Sequence, residues 1–104
     1  MKLVYVRTNF LIDSDVSDAI ISKWQELLHN AALEGGADDV DVFYSDIESI
    51  IGVSIPLEED AMLILEAGHV LGYIHSAVDS SDLKYSEFWM SINDEFGAVI
   101  ESPR

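Results

Sequence analysis

Cysteine is absent from the 104-residue chain. This excludes disulfides, thiolate metal sites and cysteine nucleophiles, and it fits a reducing compartment, so a cytoplasmic location is expected. Basic residues are scarce: five Lys and Arg stand against 20 Asp and Glu. Free DNA, RNA and anionic lipid would each be repelled by such a surface. No apolar run approaches the ~18 residues of a membrane span. Residues 1–7 hold no apolar h-region, and they are expected to open a strand rather than form a signal peptide. The motifs G-x-S-x-G, G-x-G-x-x-G and Walker A are also missing. Nothing therefore marks a strained catalytic serine or a phosphate cradle.

What is present is an apolar majority beside a large acidic excess. Hydrophobic residues make up 49% of the chain, with ten aromatics among them, and mean hydropathy is positive. A disordered acidic tail lacks that apolar content, so residues 1–104 are read as a single acidic domain with a core of its own. The formal net charge is -15, well beyond the magnitude of about 2–8 at which a small domain is comfortable. Self-repulsion on this scale costs folding stability. It calls for a cationic partner, or for an origin in high salt.

Hydrophobic periodicity outlines an α+β fold, with one long amphipathic helix packed on a mostly antiparallel sheet of four to six strands. Lys2 to Ile12 alternates and reads as a first strand. Val16, Ile20, Trp24, Leu27, Leu28 and Ala31 recur at helical spacing, which predicts a helix over 15–33 stopped by Gly35-Gly36. Val40 to Tyr44 reads as a second strand. Ser45 and Glu48 have capping-box spacing ahead of Ile50-Ile51, which predicts a short helix of at most two turns. Pro56 to Asp60 reads as a turn or one further helical turn. Residues 61–66 and 70–78 read as strands around an Ala67-Gly68-His69 hairpin. Residues 85–101 fit either a helix ended by Gly97 or a hairpin, and Asn93-Asp94-Glu95-Phe96-Gly97 favours the hairpin.

Three acidic clusters stand out: Asp13, Asp15 and Asp18; Glu34, Asp38, Asp39 and Asp41; and Glu58, Glu59 and Asp60. Carboxylates two apart on a strand lie roughly 6–7 Å apart, and those three or four apart on a helix ~5–6 Å. Both spacings are close to that of successive phosphates along a nucleic-acid backbone. These ten carboxylates are the candidate partner-binding residues. Trp89 joins them as a candidate aromatic anchor, core burial being the more ordinary role for it.

No metal site is expected. Asp38-Asp39-x-Asp41 lacks the closing Glu of a calcium loop, and three consecutive acids do not converge easily. His29, His69 and His75 show no ligand spacing, and no cofactor is expected.

In composition alone, the chain resembles phage anti-defence proteins, the anti-CRISPR and anti-restriction DNA mimics. That resemblance implies a non-enzymatic inhibitor that binds the basic nucleic-acid surface of another protein. A bacterial immunity protein against a cationic nuclease toxin is the alternative on the same physics. A small acidic hydrolase or metal-dependent enzyme is a third reading, and it requires a concave cluster of carboxylate and histidine. Self-association stays open.

Overall fold

The computed structural model describes residues 2–102. They form β1 (Leu3–Leu11), α1 (Asp18–Glu34), β2 (Asp41–Ser45), β3 (Ile50–Glu58), α2 (Leu63–Asp79), β4 (Glu87–Asn93) and β5 (Val99–Glu101). The five strands make one sheet in the order β2-β3-β1-β4-β5, and every neighbouring pair is antiparallel. Without β5 this is a β-α-β-β-α-β chain with the split β-α-β arrangement of ferredoxin-like folds, β1 and β2 running parallel on either side of β3.

Alternation along β1 assigns the two faces. Val4, Val6, Thr8, Phe10 and Ile12 are buried, and their partners Leu57, Ile55, Val53 and Ile51 on β3 share that face. Both helices cover it, and helices and strands contribute to a single hydrophobic cluster. Phe10, Leu28, Ile51, Ile55, Ile74 and Ile92 are fully buried there. Each such side chain contributes about 1.5–3 kcal/mol of transfer free energy. The opposite face, carrying Tyr5, Arg7, Asn9 and Leu11, has no helix over it, although Asn9, Ser54, Ser91 and Asn93 on it are buried.

The α+β class and the antiparallel sheet agree with the sequence reading, but there are two long helices and not one. The first starts at Asp18, where the Ser17 side chain accepts from the Ile20 amide at 3.4 Å, and it stops at Gly35-Gly36, with Gly36 at φ +99°. A left-handed residue here suits glycine, which has no Cβ to clash. The second helix corrects the expected pair of strands over 61–78. Leu63, Ala67, Val70, Leu71, Ile74 and Val78 are buried at helical spacing, and Gly68 lies within the helix instead of at a hairpin.

The expected short helix after Ser45 is also corrected. Ser45 Oγ does accept from the Glu48 amide at 3.3 Å, so the capping hydrogen bond forms. It closes a hairpin loop, with Ser49 at φ 57°, and Ile50 onward is drawn into the sheet. Pro56 to Glu58, expected to turn, finishes β3 opposite Tyr5, Val4 and Leu3. The C-terminal hairpin is as expected: Asp94 Oδ1 accepts from the amides of Phe96 and Ala98, each at 2.9 Å.

Candidate functional site

Strand directions decide where the acids meet. The connection from α1 to β2 and the connection from β3 to α2 both lie at the end of the sheet where β1 begins. Glu34, Asp38 and Asp39 therefore share one pole with Glu58, Glu59 and Asp60, whereas Asp41, in register with Ser54 and Arg7, lies at mid-sheet; all seven are exposed. Two clusters some twenty residues apart in sequence become one acidic pole. Asp13, Asp15 and Asp18 are also exposed, but they lie in the β1–α1 connection and at the first residue of α1, at the far pole.

The acidic pole is concave. A hollow of about 400 Å³ is lined by Leu3, Asp38, Pro56, Leu57, Glu58, Asp60 and Glu66. Beside it, sharing Leu57 and Glu66, a more apolar hollow of about 440 Å³ is lined by Gly35, Gly36, Ala37, Leu65, His69 and Val70 as well. An apolar depression rimmed by charge is the usual anatomy of an interface anchor pocket. Glu66 was absent from the acids singled out in the sequence. Read as helical, residues 63–78 place it in the first turn of α2, facing this pole.

Several of these acids have local duties. Asp60 Oδ1 accepts from the Met62 amide at 2.9 Å as the chain enters α2. Asp39 Oδ1 accepts from the Val40 amide at 3.0 Å. Lys2 pairs with Glu59 at 3.2 Å on the surface. The other ion pair among the described residues, Lys23–Asp82, is also at 3.2 Å and lies away from this pole. Among the described residues, Glu34, Asp38, Asp41, Glu58 and Glu66 make no ion pair.

Trp89 is not core. It stands on the sheet face without helices, opposite Asn9 and 41% exposed, in the half of the sheet farther from the Glu58 pole. Trp24 is the core tryptophan, and its Nε1–H donates to Asp82 at 2.9 Å. That bond, followed by Lys23, holds the Asp82 carboxyl below the usual carboxylate range.

The histidines are separated. His29 is exposed on α1. His69 and His75 both lie on α2, six residues apart, so they face different directions. His75 Nε2 and Thr8 Oγ1 share a hydrogen bond at 2.9 Å, and its ring packs against Phe10 and Phe88. Burial pushes its pKa down, against a smaller upward pull from Asp79. Among the described residues, no three Asp, Glu or His side chains converge to hold a metal ion, and no helix is long and apolar enough to cross a membrane. The chain matches no family model, no curated protein and no solved structure.

Proposed function

We propose that the protein is a non-enzymatic inhibitor whose acidic pole occupies the basic nucleic-acid-binding surface of a partner protein, in the manner of an anti-restriction or anti-CRISPR DNA mimic. One observation carries the reading. Asp38, Glu58, Asp60 and Glu66, drawn from the α1–β2 connection, the end of β3, the β3–α2 connection and the first turn of α2, rim one hollow beside an apolar depression. Carboxylates there stand in for phosphates, and long-range attraction to a cationic surface accelerates association. The apolar depression receives a side chain of the partner and slows dissociation, a feature a bare polyanion lacks. That same depression also suits the alternative of an immunity protein, in which an anchor seats beside a nuclease active site. The hydrolase reading draws less support, because His75 and Asp82, the groups whose ionisation is displaced, lie outside both hollows.

The test is competition. Proteins captured from a bacterial lysate on the immobilised chain are purified, and their binding to duplex DNA is followed by gel shift as the chain is added. A stoichiometric loss of the shifted band is expected. A captured partner that retains full DNA affinity under saturating chain would overturn the mimic and favour binding beside the site.

A further inference from the structure

The uncovered sheet face carries an unusual group for so acidic a chain. Register aligns Asp41, Ser54, Arg7 and Ser91 in one row across the sheet, and Phe43, Gly52, Asn9 and Trp89 in the next. Arg7 Nε donates to Ser54 Oγ at 3.3 Å, which leaves its terminal nitrogens free. The ion pairs among the described residues are Lys2–Glu59 and Lys23–Asp82, so this half-buried guanidinium has no carboxylate partner. Asp41 shares its row but stands two strands away, about 10 Å at the usual strand spacing. In the next row, a Cβ on Gly52 would meet Asn9 Oδ1 at 2.5 Å and Phe43 Cζ at 2.7 Å. The phenyl ring and the amide therefore close over a floor without a side chain.

We propose that this face joins two copies of the chain about a twofold axis lying along β3. Such an axis carries β1 of one copy over β2 of the other while keeping every row in place. Arg7 of each copy then faces Asp41 of its mate, giving two reciprocal pairs of the kind guanidinium and carboxylate form best. On the axis Gly52 is covered in each copy by its own Phe43 and Asn9, so those two side chains, not the glycine, face the mate there. Phe43 of each copy comes over Asn9 of the other. Three strands overlap, roughly 14 Å by 30 Å, which is less than the ~800 Å² per partner of a standard interface. The dimer is accordingly weak, in the micromolar range. Because the axis preserves strand direction, both acidic poles end on the same side of the dimer. The inference goes beyond the proposed inhibition, since it stands on the sheet face whether or not the acidic pole has a partner.

Sedimentation velocity at ~100 µM chain, well above a micromolar Kd, tests it. The wild type should approach twice its 11.6 kDa monomer mass. Arg7→Asp and Asp41→Arg should each weaken dimerisation at least ~10-fold, and the double exchange R7D/D41R should restore it. Asp41→Arg is the sharper variant, being on the surface. It removes net repulsion, so a face without specific pairing would associate more strongly, whereas the proposed geometry sets Arg against Arg and predicts less. A monomeric wild type would overturn the proposal. So would a strengthened D41R dimer, or a folded double exchange that stays monomeric.

Discussion

Neutralising the acidic pole should weaken partner binding far more than neutralising the opposite pole. The variant D38N/E58Q/E66Q removes three carboxylates from the rim of one hollow with little change in side-chain volume. An exposed charge facing an opposite charge is worth on the order of 0.5–1 kcal/mol. Three such charges give about 1.5–3 kcal/mol, or a roughly 10- to 150-fold loss of affinity. The control, D13N/D15N/D18N, removes the same charge at the other end of β1. The nine residues of β1 separate the poles by about 27 Å, and the Debye length at physiological salt is about 8 Å. The far charges are then screened by some three Debye lengths. Their loss should slow association slightly and change affinity less than about 3-fold. Calorimetric titration of the purified partner at physiological ionic strength measures both. Equal losses from the two variants would refute a localised mimic and leave only bulk charge. A larger loss at the far pole would move the contact there.

Other expectations need no partner. Gly52→Ala should cost about 1–2 kcal/mol in urea unfolding, because overpacking against Asn9, Phe43 and the Thr8 carbonyl at 2.8 Å outweighs the ~0.5–1 kcal/mol gained by removing a strand glycine; a stabilised variant would contradict the close approach. His75 should make the fold acid-sensitive. Its folded-state pKa is lowered from the ordinary 6.5, so the unfolded chain binds the proton more readily, and stability is lost as pH falls from 6.5 toward the folded value. His75→Gln should flatten that part of the stability–pH curve relative to the wild type, and parallel curves would mean the imidazole is not desolvated. Melting temperature should rise as NaCl is added from low concentration, since salt screens a net charge of -15; a flat response would show that repulsion is already relieved. Free duplex DNA should give no gel shift at physiological salt.

The legible parts of the sequence were those where one face is buried and the other wet. β1 alternates cleanly and α1 shows its stripe, so both were assigned nearly to their ends. The second helix was obscured because apolar residues occur around much of it. Ile64 and Leu65 are exposed at 48% and 67%, which blurs the 3.6-residue period, and Gly68 sits where a turn would. β3 is obscured in the sequence for a different reason. The local signal at Ser45 was real, and its hydrogen bond forms. The following residues are nevertheless held by pairing with strands on both sides, which a local pattern does not reveal. The convergence of acids follows from this pairing, because Glu58 and Asp38 share a pole only when β3 runs as a strand to its end. The clusters themselves were visible from composition. Their union was not, because it is a property of topology.

The uncovered face and the sheet edges also bear on colloidal behaviour. β2 and β5 are open edges, and Phe96, Val99 and Ile100 are exposed at 87%, 61% and 46% beside the latter. Such an edge invites strand-to-strand addition and insoluble growth. Here β5 is only three residues long and ends on Glu101, while β2 starts on Asp41 and is followed by Asp46 and Glu48. Any copy arriving edge-on brings its carboxylates against these. The acidic excess therefore opposes open-ended polymerisation, and reducing it broadly would be expected to lower the concentration at which the chain precipitates.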